Sequence, residues 1–310
     1  MPALARPALD PAAADKFRAA GRIAGAARKL GASMIRPGVR LAEVMEAVES
    51  FIRVQGGGPG FPAQTSRNHI AAHYCPPPGD PTTYEQDDVV KIDIGVEVDG
   101  YVADTAQSVY LGTDARYQRL VAASQAALEA AVRLAGPGVR ISTLSAAIEN
   151  AIEAHEFRPV YNLTGHGLGR WKVHTAPSIP AVPDPHGDAE LQAGMVIAIE
   201  PFATDGRGQV YERGRAEVFM LTRAPTKLKG VDPAAWDVIE RMHGLPFARR
   251  SFPAGITSAA IEATLARLMR VGCLVPYPPL VDPDPAVRVS QAEHSLLITD
   301  RGAEVITADP

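Results

Sequence analysis

Only two cysteines, Cys75 and Cys273, occur in the 310 residues, and neither has a CxxC neighbour. They are too few to staple a chain this long, which excludes a disulfide framework and a cysteine-rich metal site and fits a reducing, cytoplasmic compartment. A basic excess is also missing: 31 Lys and Arg stand against 35 Asp and Glu, for a net charge of −4. That balance argues against a role resting on a basic patch, so neither nucleic acid nor a membrane surface is an expected partner. No apolar run approaches a membrane span, and the opening MPALARPALDPAAADKF lacks a signal-peptide core. What is there is an ordinary globular composition, 46% hydrophobic and 21% charged, enough for one large domain or two smaller ones.

The chain repeats itself. PGVRLAEVMEAVESFI (37–52) returns one hundred residues later as PGVRISTLSAAIENAI (137–152). The spacing predicts helices over 13–32 and 41–54 in the first half and about 114–134 before the second copy. A single long period is no solenoid and reads instead as an internal duplication. Each half then passes through an irregular segment with a histidine, His73 or His174, to an apolar strand bearing an acid, VVKIDIG (89–95) or MVIAIEPF (195–202). Two helix–helix–hairpin halves imply an α+β fold, with helices covering one face of an antiparallel sheet about a pseudo-twofold axis. Residues 218–282, with helical text at 233–243 and 257–271, read as a helical insertion within a single catalytic domain, 1–310. Residues 176–190 read as a Pro-rich surface loop, and the end as two strands joined at Asp300-Arg301-Gly302.

The segment KIDIGVEVDGYVADT (91–105) carries two acids where inward-facing strand residues should be apolar. A two-residue turn at Asp99-Gly100 makes it a hairpin and sets Asp104 opposite Gly95, beside Asp93; a turn one residue earlier pairs the aspartates directly. In either register the carboxylates converge, and like charges that close call for something positive between them. With His166 in TGHGLG, Glu200 in AIEPFAT and Glu293 in QAEHSLLIT they form a candidate metal set. Oxygen-rich ligation with one imidazole suits cobalt, manganese, iron or zinc. Four carboxylates around one divalent ion leave about two negative charges uncompensated, whereas two ions balance them, and a two-ion site performs hydrolysis. Each residue also has a plainer reading: a solvated turn aspartate, a core histidine, glycines that only shape a turn. His69, His155, His186 and His243 stand in helical or loop text without nearby acids and read as surface or structural.

The segments GFPAQTSRNHIAAHYCP (60–76), VVKIDIGVEVDGYVADTA (89–106), NLTGHGLGRWKVH (162–174), GMVIAIEPFATDGRGQV (194–210), HGLPFARR (243–250), VPYPPL (275–280) and QAEHSLLIT (291–299) resemble the type 2 methionine aminopeptidases. Nearly the whole chain takes part, in the compact archaeal-like form, and the ninety-three-residue gap between Glu200 and Glu293 fits type 2. The resemblance implies the pita-bread fold of the creatinase and aminopeptidase group. It implies a cytoplasmic, monomeric enzyme that removes the initiator methionine from nascent polypeptides with a small second residue. It further implies that Asp93, Asp104, His166, Glu200 and Glu293 hold two divalent ions, with Glu200 doubling as general base. His73 and His174 would position the substrate, and Phe61, Val173 and Tyr277 would line the methionine pocket. Departures from the family pattern are Cys75 after HY, Arg67 between Ser66 and Asn68, and Thr175-Ala176-Pro177 after the second histidine, all at the pocket rim. The alternatives are an Xaa-Pro aminopeptidase or dipeptidase on the same fold, or a non-catalytic binding homologue.

Overall fold

The computed structural model describes residues 9–185, 188–226 and 229–309. Two helix pairs dominate it: α1 (Pro11–Met34) with α2 (Leu41–Val54), and α3 (Ala115–Leu134) with α4 (Ile141–Ala154). The repeat holds down to single hydrogen bonds. Gly38 and Gly138, both at positive φ, donate to the carbonyls of Tyr84 and Leu191, and Leu41 and Ile141 donate to those of Thr82 and Ala189. A loop lying ahead in the chain thus begins each second helix, supplying the capping that Arg40 and Arg140 do not.

Each helix pair buries its apolar stripe on its own sheet. Phe17, Val44, Met45, Val48 and Ile52 pack on Ile92, Ile94 and Val96 of the first hairpin. Leu120, Leu128, Leu144, Ile148 and Ile152 pack on Ile197, Ile199, Leu296 and Ile298. The hairpin joins strands Val89–Val98 and Tyr101–Tyr110 through Asp99 and Gly100, whose φ values of 53° and 86° are those of a primed turn. The second sheet runs in the order Gly302–Val305, His294–Thr299, Val196–Ile199, Thr164–Gly169, Lys172–Pro180. Residues 176–180, expected in a surface loop, belong to its edge strand; an edge tolerates the prolines that a central strand would not. The single sheet expected from sequence is divided into several antiparallel pieces, with register shifts at His166 and Gly167.

The stretch from Val218 carries α5 (Pro233–Arg241), α6 (Ser258–Arg270) and a three-stranded sheet in which Val218–Leu221 lies between Phe247–Ala248 and Leu274–Tyr277. Phe219, Ile239, Phe247, Leu265 and Leu268 form a core of its own. Among the described residues no helix is long and apolar enough to cross a membrane.

Helix α1 also packs on the last strand's continuation. A Cβ at Gly21 would lie 2.2 Å from the carbonyl oxygen of Ile306, a backbone atom that cannot swing aside. Gly21→Val should therefore destabilise the protein by roughly 1–3 kcal/mol, read as a lower urea midpoint at unchanged slope. Valine is the better helix former, so any loss comes from this contact, and an unchanged midpoint would refute the close approach.

Candidate active site

The hairpin register pairs Gly95 with Asp104 and Asp93 with Ala106, the first of the two arrangements open from sequence. Asp93 and Asp104 then stand as diagonal neighbours on one face of the hairpin. Gly95 is required there: a Cβ on it would fall 2.3 Å from the ring of Phe61. The second half supplies His166 from the Thr164–Gly169 strand, Glu200 from the kink after Val196–Ile199, and Glu293 from the break before His294–Thr299. Hydroxyl and backbone hydrogen bonds stitch the halves together at this point. Ser295 Oγ donates to the Asp104 carbonyl and accepts from its N–H, at 2.7 and 2.8 Å. Thr105 Oγ1 donates to the Glu293 carbonyl at 2.8 Å, and Glu293 N–H donates to that of Ala106 at 2.9 Å.

All five expected metal-site residues thus converge. Asp104, His166 and Glu293 are buried and Asp93 and Glu200 less so; all but Glu293 line a cavity of about 510 Å³. Single donor atoms of Asp104, His166 and Glu293 all lie within 4.8 Å of one another. His166 Nε2 stands 3.5 Å from Glu200 Oε1 and 3.8 Å from Asp104 Oδ2. Both separations are too long for hydrogen bonds but suit atoms that face a common third partner. The tautomer agrees: Nδ1 lies 3.2 Å from the Gly167 carbonyl, so it carries the proton and leaves Nε2 a bare acceptor facing acceptors. Asp93 Oδ1, Asp104 Oδ1 and Glu293 Oε1 are buried without hydrogen-bond partners. A donor set made only of carboxylate oxygens and one imidazole lone pair, with its acceptors unmet, fits divalent cations.

Electrostatics point the same way. Burial raises the Asp93 carboxyl to about 7. Burial first, and then the Asp93 and Glu200 charges, push Asp104 well above the carboxylate range. Glu200 rises through burial and Asp93, and Glu293 through burial and then Asp104, Glu200 and Asp93. Burial, helped by His174, depresses His166 to about 3. Without a cation these charges cannot coexist.

The glycines flanking His166 do not shape a turn. They lie in the strand, where a Cβ at Gly165 would sit 2.4 Å from the Ala198 carbonyl oxygen and one at Gly167 2.3 Å from that of Ala176. Close strand approach on both sides seats the imidazole.

His73, His174, Phe61, Val173 and Tyr277 all line the same cavity. His73 meets Tyr277 edge-on at 5.6 Å, and His174 meets His166 edge-on at 4.4 Å. Burial, then His174, lowers His73 to about 4, and burial lowers His174, so both stay neutral near pH 7. Sequence reasoning missed Gln64, Val218 and Pro246 in the cavity wall. It also missed Gln291, whose Nε2 donates to Glu200 Oε2 at 3.4 Å. Gln64 pairs with Asp93 across the sheet, and Gln291 precedes Glu293 by two residues, so a polar residue beside each acid was the available signal. His243 stacks on Trp171 at 4.4 Å, away from the cavity. His186 lies outside the described residues.

Comparison with known proteins agrees with this geometry. The model of metallopeptidase family M24 matches residues 15–222. The chain is 40% identical over 294 residues to a methionine aminopeptidase of Pyrococcus horikoshii, covering 94% of this chain and 99% of the relative. It is 40% identical over 300 residues to one of Archaeoglobus fulgidus, covering 96% and 100%. Among solved structures, a thermophilic Arx1 superposes with a TM-score of 0.86 at 17% identity, covering 98% of this chain and 92% of that one. Methionine aminopeptidase from Thermotoga maritima superposes at 0.72 with 23% identity, covering 98% and 100%. These distant likenesses show the fold alone, which is that of the pita-bread enzymes. With the family model and near-full-length relatives in agreement, the chain belongs to metallopeptidase family M24.

Proposed function

We propose that this protein is a methionine aminopeptidase, hydrolysing the first peptide bond of nascent polypeptides whose second residue is small. One observation carries the reading. A single cavity is lined by Asp93, Asp104, His166 and Glu200 of the cluster and by an apolar wall of Phe61, Val173, Val218, Pro246 and Tyr277, suited to an unbranched thioether. Asp93, Asp104, His166, Glu200 and Glu293 would hold two divalent ions, with cobalt, manganese, iron and zinc all compatible. Bound there, the ions would lower the pKa of an attacking water and neutralise the oxyanion that forms.

The chain's own groups do the rest. Glu200, facing the cavity and oriented by Gln291, takes the water's proton and passes it to the leaving amine. His73 and His174, neutral near pH 7, can donate N–H to the scissile carbonyl and its developing oxyanion without adding charge. The substrate would be the amino terminus of a nascent chain, met by a cytoplasmic monomer. Residues 218–282 we treat as a helical subdomain inserted in one catalytic domain, 1–310, a reading supported by its separate core. Prolidase from Pyrococcus furiosus shares the fold, with a TM-score of 0.62 at 19% identity, so Xaa-Pro peptides are the competing substrates.

The metal-loaded chain should turn over Met-Ala-Ser faster than Ala-Pro peptides; the reverse preference would overturn the substrate. Glu200→Gln should lower kcat by about 10²–10⁴ while calorimetry still detects bound metal. Undiminished cleavage by that variant would remove Glu200 from the role of base.

A second expectation concerns stability without metal. A carboxyl raised on folding stabilises fully below its unfolded value of about 4, and that contribution is lost as pH climbs through the folded value. For Asp93 the folded value is about 7. His73 and His166, lowered to about 4 and about 3, run oppositely. Their contribution is full above about 6.5 and lost on acidification. Above about pH 6.5 the histidine effect is complete, while buried Lys91, lowered by burial, gains stability with rising pH whether or not metal is bound. Metal-free protein should therefore lose thermal stability relative to metal-loaded protein as pH rises from about 6.5 to about 8. A gap in melting temperature between the two forms that stays constant from about pH 6.5 to about pH 8 would contradict the buried cluster.

A further inference from the structure

Arg250 does not line the cavity, yet three of its walls end on this one guanidinium. Its side chain is 9% exposed and pairs with Glu49 of α2 at 2.6 Å. Nη2 also donates to the Ala63 carbonyl at 2.6 Å, and Nε to the same Glu49 oxygen at 3.1 Å. Nη1 donates to Cys75 Sγ at 2.6 Å and to the Pro76 carbonyl at 3.3 Å. Glu49 Oε1 accepts in turn from Ala63 N–H at 3.1 Å.

Each acceptor lies next to a cavity wall. Ala63 follows Phe61 by two residues, and Cys75 follows His73 by two. Arg250 itself follows Ala248, which pairs with Val218, which pairs with Tyr277 on its other side. A planar fork with five donors can hold these acceptors at once; a lysine ammonium with three cannot keep the same directions. Burial keeps the Cys75 thiol protonated, raising it to about 11, so it meets Arg250 as a neutral partner rather than as a reactive thiolate. The rim departure noted in the sequence, cysteine at position 75, is therefore an acceptor of this clamp.

We infer that Arg250, held by Glu49, is a positioning residue that sets the distance between the Phe61, His73 and Val218–Tyr277 walls. It thereby selects an unbranched first side chain. The Glu49–Arg250 pair ties the segment from Val218 to the body of the first half, so the apolar end of the cavity keeps its width only while that pair is closed. The inference rests on the methionine aminopeptidase reading.

The test compares the unaltered chain, Arg250→Met, Arg250→Lys and Glu49→Gln, all metal-loaded, on Met-Ala-Ser and Leu-Ala-Ser. Arg250→Met should raise KM for Met-Ala-Ser at least about tenfold with kcat within about threefold, and should narrow the preference for Met over Leu. Arg250→Lys and Glu49→Gln should fall between, and they carry the comparison if Arg250→Met does not fold. Metal affinity by calorimetry should stay unchanged throughout. A folded variant with unaltered KM and Met-to-Leu preference would reduce the clamp to a structural pair and overturn the proposal. So would a fall in kcat at constant KM. If the unaltered chain ignores Met-Ala-Ser, both the proposal and its parent reading fail; if only the variants keep their KM, this one alone does.

Discussion

Four carboxyl groups and one imidazole lone pair converge at the inner end of the cavity, two of the acids buried, and the cationic side chain close by, Arg28, reaches the Glu293 carbonyl rather than the centre of the cluster. This crowding is the constraint on which the rest of the molecule depends. Desolvation alone would drive each acid to hold a proton, and each neighbour's charge adds to that pressure. Folding must therefore hold in place a cluster that opposes folding above the carboxylate range. The stitching around it is correspondingly dense: Ser295 bonds both backbone groups of Asp104, and Thr105 and Ala106 bond both sides of Glu293. The donors come from both halves of the duplication, so neither half carries the unfavourable charge, or the site, alone.

Much of this was legible because a strand has a period of two and a helix of 3.6. Asp93 and Asp104 stood out as acids in apolar strand text, and a turn at Asp99-Gly100 was enough to bring them to one face. The copy at 137–152 placed α4 as firmly as α2, since the two helices share length and spacing. Edge strands were less legible. The prolines of 176–190 suggested a loop, but an edge strand is paired on one side only, and residues 178–180 pair there with Thr164, Gly165 and His166.

What stayed hidden is what depends on contacts distant in the chain. Gln291 could be seen as polar but not as a donor to Glu200, ninety-one residues away. Glu49 and Arg250, 201 residues apart, read as an unremarked helix-surface acid and one of two adjacent arginines. The glycines beside His166 were visible, but their reason was not: it lies in the Ala198 and Ala176 carbonyls that approach them from neighbouring strands. Each of these is a distance between segments, and sequence periodicity carries no distances.

The two ends of the cavity answer to different parts of the fold. The acids come from the duplicated body, where Ser295 and Thr105 hydroxyls and a backbone bond pin the main chain of Asp104 and Glu293. The apolar wall is partly built by the stretch that begins at Val218, through Val218, Pro246 and Tyr277. The energies are as different as the origins. One methylene in an apolar pocket is worth only about 1–3 kcal/mol of discrimination, whereas general-base catalysis alone contributes about 10²–10⁴ in rate. On the proposed reading, rate would be set at the acid cluster, and preference where three segments meet on a single side chain. A change of wall can then redirect the enzyme towards another first residue without disturbing the cluster. The same pita-bread body can in that way carry peptidases of different preference, distinguished by what is built over its apolar end.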